Sequence, residues 1–427
     1  MRQVVSTTGL TLLLLLGAAA QAMEPLPGWQ TASEAIGLSQ SLRFGYWRST
    51  RSVDDQINLL PASLWLRERY SFDSGMTLHA EGWLQSEDVA HPWQAESRGE
   101  LREAYLRDTL GDFDIRFGRQ IVAWGRADRI NPTDNLSARD LTRMFVEDDD
   151  LKRGSTLLRL AHPLGETAEL QLYWIPEFRP EVHPLAERIG PFSIAGDDRR
   201  PTDNSQHAIK IDGSRDGLDW SLSWFNGHNP SGDLRALDAA RPLILVREYA
   251  RQQTFGADAA TVVGNFNLRA EAAYTDFPDR DAGDLSKRPF LFAVFGGDRN
   301  LGEQFNLNLQ YLLRRVSDFE PLERLANPIE RGIATINAVE AGQRDRYQRG
   351  ATLRLAWSSS DQRWRAELFA LQDFGQHDGI VRTLIRHDLS DDLRLSLGHE
   401  WNHGESDTLF GSLHDNNGLF MELRLGY

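Results

Sequence analysis

The sequence predicts an all-β protein: a closed antiparallel barrel of about eighteen transmembrane strands, with short turns at one end and long loops at the other. Three observations predict it. Apolar and polar side chains alternate in segment after segment up to the last residue. Short turn signals and long polar stretches alternate between those segments. The chain also opens with an export leader. About ten residues of tilted strand cross a bilayer. Lipid offers no hydrogen-bond partners, so a sheet within it must close on itself.

The leader comprises one positive charge, Arg2, then the apolar run Leu10–Ala20, then Ala20-Gln21-Ala22 as a small-x-small cleavage site. This is the order of a secretory signal peptide for Sec-type export, and the run is too short to span a membrane as a helix. Residues 1–22 are therefore assigned to the signal, 23–37 to a short periplasmic segment, and 38–427 to the barrel. The mean hydropathy of −0.46 and the lack of a long apolar run exclude a bundle of membrane helices. The absence of Cys excludes disulfides, thiol nucleophiles and Cys-ligated metals. A net charge of −15 argues against nucleic acid as a partner.

The C-terminal segment Gly418–Tyr427 sets Leu419, Met421, Leu423, Leu425 and Tyr427 on one face, against Phe420, Glu422, Arg424 and Gly426 on the other. Residues 266–274 and 305–313 repeat the pattern, with aromatics such as Tyr70, Tyr274 and Trp401 at segment ends. A terminal strand ending on an aromatic resembles the outer-membrane β-barrels of Gram-negative bacteria. That resemblance implies residence in the outer membrane, contact with its lipid and lipopolysaccharide, and reading of Leu423, Leu425 and Tyr427 by the barrel assembly machinery.

Strands are expected at 38–49, 57–71, 76–87, 98–109, 112–123, 152–162, 167–176, 206–213, 217–227, 248–261, 265–276, 288–297, 303–316, 345–358, 362–373, 378–389, 392–402 and 417–427. The count falls to sixteen if the weaker segments among 206–213, 248–261 and 288–297 are not strands. The long connections are 88–97, 124–151, 177–205, 228–247, 277–287, 317–344 and 403–416. Barrels of this size are too wide for side chains to fill, so function is sought in the wall and in loops folded into it.

On the non-lipid parity, bases outnumber acids, and all but three of the 47 basic residues are Arg. Two readings stay open. One is an electropositive conduit for anions; the other is a stiffening ladder of Arg–carboxylate pairs. The least generic stretch is Phe117–Leu136, with Gly118-Arg119-Gln120, Trp124-Gly125, Asp128, Ile130-Asn131-Pro132 and Asp134. Its loop is long enough to fold inward as a constriction, with a short helix expected at 137–145. This pattern resembles large porin-like and alginate-export-type barrels. The resemblance implies an eighteen-stranded, Arg-rich conduit for an anionic polymer, fed by an upstream export complex; no substrate-binding residues carry over.

The candidate solute path is Arg116, Arg119 and Gln120 at the base of the loop, with Arg382, Arg386 and Arg394 across the wall. The acidic run Glu147, Asp148, Asp149 and Asp150 is expected as a solvated turn. It is a weak candidate for a structural calcium ion, a hard cation that takes carboxylate oxygens. No other cofactor is expected. Residues 329–341 have a helical pattern, either folded inward or on the surface. Asn402, His403 and Ser406 are adjacent in sequence rather than set apart on neighbouring strands, and no hydrolase, zinc-protease or phosphate-loop motif occurs, so an enzyme is not expected. The function expected is a channel, porin-like or for export, that passes small or polymeric solutes, anionic ones on the first wall reading. The alternatives are a transporter of hydrophobic compounds, which would need a proline or bulge breaking a strand, and a plugged structural or adhesion barrel.

Overall fold

The computed structural model describes residues 37–49, 58–89, 96–143, 145–183, 187–196, 198–280 and 285–426. The leader expected at 1–22, most of the segment expected at 23–37 and Tyr427 lie outside the described residues.

Eighteen antiparallel strands form one closed sheet. The first nine are β1 (Leu38–Ser49), β2 (Ala62–Ser71), β3 (Thr77–Ser86), β4 (Ser97–Leu110), β5 (Phe113–Gln120), β6 (Ser155–Leu164), β7 (Ala168–Ile175), β8 (Gln206–Arg215) and β9 (Leu218–His228). The second nine are β10 (Arg251–Val263), β11 (Phe266–Asp276), β12 (Phe290–Leu301), β13 (Phe305–Val316), β14 (Tyr347–Ser358), β15 (Trp364–Asp373), β16 (Gly379–Asp388), β17 (Leu393–His403) and β18 (Gly418–Gly426). Each strand pairs with the next. β1 pairs with β18 from Ser41 opposite Gly426 to Ser49 opposite Gly418, which closes the ring. The three weaker segments are all strands, so the count is eighteen and not sixteen.

The alternation rule places the side chains as expected. Leu66, Leu84, Leu101, Phe117, Leu222, Phe255 and Leu309 are exposed on the outer face, and Tyr70, Tyr274 and Trp401 stand exposed near strand ends. Glu81, Asp258, Glu271 and Arg382 are buried on the inner face. Apolar-out and charged-in is the distribution a lipid solvent requires. On the outer parity of β18, Leu423 and Leu425 pack with Met421, Leu393, Phe44 and Tyr46.

Two irregularities break the pattern. A two-residue ladder, Asn58–Leu59, precedes β2 and is parted from it by Leu60 and Pro61. Pro61 has no N–H to give the ladder, although its carbonyl still accepts from Gly45. A bulge lies between β3 and β4, where Glu81 faces Glu103 but Gly82 faces Leu101. Arg102 is the extra residue, and strict alternation would have sent it outward. Sequence reading named no break of either kind: the bulge leaves no mark there, but Pro61 stands in view inside the strand expected at 57–71.

Short turns cluster at the end where β1 begins, and long connections lie opposite. The long loops carry structure of their own. Strands Arg188–Ile189, Phe192–Ile194, Asp233–Asp238 and Arg241–Glu248 form a separate four-stranded sheet. Helix α1 (Pro328–Glu340) packs on it through Phe192, Leu234, Leu245 and Ile333. The buried Asn337 amide exchanges hydrogen bonds with the Leu234 backbone, and Arg247 pairs with Glu340 at 3.0 Å. The helix expected at 329–341 is thus present, as part of a folded cap over the loop end.

Candidate functional site: the lumen loop

Residues 121–154, between β5 and β6, enter the barrel as two lobes. The first, 121–137, is closed at its neck by the Ser137 hydroxyl, which accepts from Val122 N at 2.9 Å and donates to Val122 O. The second, 138–154, is closed by Asp140 N to Leu151 O and Arg153 N to Ala138 O, both 2.8 Å. The described residues of 137–145, where a short helix was expected, form no α-helix; Arg139 and Asp140 are bridged to Lys152 and Val182 instead. A single 3-10 turn occupies Asp148–Leu151.

Apolar residues seat each lobe. Trp124 and Leu136 bury against Leu157, Tyr173, Ile175, Ala208 and Phe225 on β6–β9. Phe145 sits edge-on to Trp65 and Trp83, at 5.3 and 5.4 Å between ring centroids. Val146 packs on Leu384 and Phe420. Burying each aromatic contributes about 2–3 kcal/mol.

Polar contacts then fix the first lobe to the wall. Glu271, on β11, is almost fully buried and accepts from Arg126 N, Ala127 N, Thr133 N, the Thr133 hydroxyl and the Asn131 amide, at 2.8–3.3 Å. Gly125 makes this approach feasible. It has φ +94°, and a Cβ there would lie 2.5–2.6 Å from the Glu271 carboxylate. Arg126 pairs with Asp258 at 2.6 Å and Asp212 at 3.1 Å, and Asp128 pairs with Arg354 at 2.6 Å. Arg129, at φ +64°, pairs with Glu367.

In the second lobe, Glu147 pairs with Arg386 at 2.8 Å, Asp148 with Arg382 and Arg129, Asp149 with Lys152 at 2.9 Å, and Asp150 with Arg43 at 2.6 Å. The acidic run is thus the solvated turn expected only in part: Asp148 and Asp149 are exposed, yet all four carboxylates are paired. Glu147, Asp148 and Asp150 diverge to different arginines, because the wall arginines lie around a circumference and each takes the nearest acid. Lys152 holds the Asp149 carboxyl below the usual carboxylate range. Among the described residues, the cluster that gathers three potential metal-ligand atoms is His79, Glu81 and Glu103, on β3 and β4. There Glu81 is already held by Arg67 and Arg102.

The six candidate path residues separate. Arg116 faces the lumen and shares Asp114 with Arg107 and Arg159. Gln120 is buried and donates to Leu157 O at 3.2 Å. Arg382 and Arg386 are bound to the second lobe, and Arg382 also meets Glu400 at 3.0 Å. Arg394 shares Asp388 with Arg365. Arg119 does not join them. It shares the outward parity of Phe117, donates to Leu101 O and lies 3.8 Å from Glu177. The paired-ladder reading thus describes most of the wall at loop level.

Sequence reasoning missed Arg102, which the bulge turns inward. Its guanidinium reaches Glu81, Asp149 O at 2.6 Å and Lys152 O at 3.3 Å. Between the lobes and β15–β17 lies a cavity of about 530 Å³ lined by Arg129, Asp148, Glu367, Arg382, Arg386 and Glu400.

A family model described as "Protein of unknown function (DUF1302)" matches residues 73–422. The chain belongs to the DUF1302 family. No curated protein matches it in sequence. Among solved structures, this DUF1302 protein is similar to OccAB1 of Acinetobacter baumannii (TM-score 0.57, 9% identity, 91% of this chain and 96% of that one). It is also similar to the outer membrane protein OpdK of Pseudomonas aeruginosa (TM-score 0.55, 9% identity, 91% and 98%) and to OccAB3 of A. baumannii (TM-score 0.54, 8% identity, 91% and 98%). At such identities the likeness is one of fold. It places the DUF1302 chain with large outer-membrane-type barrels, and the 73–422 match runs from the β2–β3 turn into β18, lumen loop included.

Proposed function

We propose that this chain is a porin-like channel of the Gram-negative outer membrane, passing small solutes through a lumen narrowed by the two-lobed loop. The observation that carries the reading is a closed eighteen-stranded wall with one loop pinned inside it around most of the circumference. A barrel of that width leaves an aqueous interior, and a loop fastened across it sets the bore. The outward apolar band and aromatic strand ends suit lipid contact, with lipopolysaccharide at the loop end. Sec-type export and the assembly machinery would deliver the chain there. No covalent chemistry is assigned to it.

An anion preference is supported only at the turn end of the lumen. There five guanidiniums (Arg107, Arg116, Arg159, Arg365, Arg394) share the carboxylates of Asp114, Glu169 and Asp388. At loop level the acids of the second lobe neutralise the wall. Reversal potentials across a planar bilayer under a salt gradient test both parts. Anion preference supports the reading, cation preference removes the anion part alone, and absence of conductance removes the channel.

A second reading, passage of hydrophobic compounds, is favoured by the strand break at Pro61 and the bulge at Arg102. Pro61 leads into β2 and Arg102 lies on β4, with only β3 between them. Lateral release predicts accumulation of an apolar solute in vesicle membranes rather than in their lumen.

A further inference from the structure

Beneath the cap, on the inner face of β12–β15, lies a second cavity of about 270 Å³. Its walls are mostly apolar: Phe292, Leu312, Val339, Leu371, Leu409 and Phe410. Ile130, at the tip of the first lobe, and Leu371 line both this cavity and the one at the loop tips, so the two are neighbours along the bore.

One cation in it stands apart. Arg314, on β13, has no carboxylate within ion-pair distance among the described residues. Its guanidinium lies over the rings of Phe290 and Phe292, at 5.1 and 4.5 Å. Its Nη1 donates to Ala341 O at 2.5 Å and to Gly342 O and Gln348 Oε1 at 3.3 Å, which caps the C-terminal end of α1. That contact uses one side of the fork. Nε is buried and meets no acceptor. Capping thus accounts for Nη1 and leaves the Nε edge of a planar donor fork unanswered. The acid whose charge reaches it, Asp373, makes no contact with it, so the remaining donors of this part-buried guanidinium suit a carboxylate.

The acids lining the same cavity are already engaged. Glu340 takes Arg247 with both oxygens, Asp345 accepts from the Gln376 amide, Asp373 accepts from Gly375 N and Gln376 N, and Asp378 accepts from Phe410 N. The other cation, Arg344, is paired with Asp407 at 2.9 Å.

We infer that this cavity binds amphipathic monocarboxylates, with the apolar body against Phe292, Leu312 and Leu371 and the carboxylate on Arg314. As the solute class of the proposed channel this rests on that reading, but binding and conductance are measured separately. A purified channel that conducts yet binds no such acid overturns the inference alone; one that binds the acid without conducting overturns only the channel.

The test uses three probes that share one apolar body, phenylacetate, 2-phenylethanol and phenethylammonium, titrated calorimetrically into the full protein in non-ionic detergent. Phenylacetate should bind most tightly. Arg314→Gln should weaken it at least about tenfold, the loss expected of a charge-assisted bond, while changing phenylethanol binding less than about twofold. Leu312→Trp, which fills the apolar floor and leaves the α1 cap contact in place, should abolish all three and keeps the test open if Arg314→Gln disturbs the cap. Preference for phenethylammonium would mean that the cavity acids govern, and would overturn the inference. So would equal phenylacetate binding by wild type and Arg314→Gln.

Discussion

Arg129 Nη1 lies 2.7 Å from Asp148 Oδ2, so one ion pair joins the two lobes of the lumen loop at their tips. Each partner is also tied to the wall, Arg129 to Glu367 on β15 and Asp148 to Arg382 on β16. Arg129 holds a left-handed backbone, φ +64°, that costs a non-glycine residue about 1–2 kcal/mol. Both side chains keep contact with solvent, so the pair itself should couple by only about 0.5–1 kcal/mol. Arg129→Ala and Asp148→Ala should each raise single-channel conductance and current noise. The double variant should add little beyond either, as read in bilayer recordings. Arg129→Gly should retain more order than Arg129→Ala, because glycine adopts this backbone without strain.

Glu271 is the stronger fastening of the first lobe. Glu271→Ala strands several loop N–H donors that the carboxylate now satisfies, a loss of about 2–4 kcal/mol. Limited proteolysis should then cut within 121–137, where wild type resists. Glu271→Gln keeps one acceptor oxygen and should lie between the two. Equal resistance in all three would show that Trp124 and Leu136 alone seat the lobe.

Arg102 carries a prediction that the alternation rule would reverse. As a lipid-facing residue it could be replaced by Leu with a gain in stability. Facing inward, Arg102→Leu removes one of the two arginines on the buried Glu81 and the donors to the Asp149 and Lys152 carbonyls. A loss of about 3 kcal/mol is expected, seen as a lower temperature for the gel shift between folded and boiled forms.

Asp134 lies in the loop rather than in a spanning strand, and burial pushes its carboxyl up to about 6. Its Oδ1 accepts from Trp124 N at 3.2 Å. Since the seated lobe raises this value above that of a free carboxyl, the protonated form is favoured when seated. The stabilisation is complete below about pH 4 and is lost as pH rises through 6. The first lobe should therefore exchange amide hydrogen more slowly near pH 5 than at pH 7, once intrinsic exchange rates are corrected for. Asp134→Asn should flatten that dependence and stabilise the lobe at pH 7 by about 2 kcal/mol, discounted for partial solvent contact.

The barrel was legible because lipid imposes a period of two on every spanning strand, and Leu419 through Leu425 obey it to the end. The lumen loop was legible in part. Gly125 and the Asn131-Pro132 turn marked an unusual segment, and they lie in the first lobe. What alternation cannot carry is an extra residue. The bulge at Arg102 leaves no trace in composition, and Arg119 faces outward although it neighbours the lumen residue Gln120. The pairing of Glu147, Asp148 and Asp150 was missed because their partners, Arg386, Arg382 and Arg43, are remote in sequence and close only across the closed ring. The cap sheet was missed for a related reason. Strand Arg241–Glu248 follows strand periodicity, but periodicity does not say which sheet a strand joins.

The most direct test is single-channel conductance of the purified protein before and after residues 123–136, the part of the first lobe beyond its neck, are replaced by a short Gly-Ser linker. If this lobe sets the bore of an open cylinder, the wild type should conduct in small steps and the shortened protein in steps several-fold larger, with both still shifting on gels when boiled. A shortened protein that folds, inserts and conducts no more than the wild type would contradict the account.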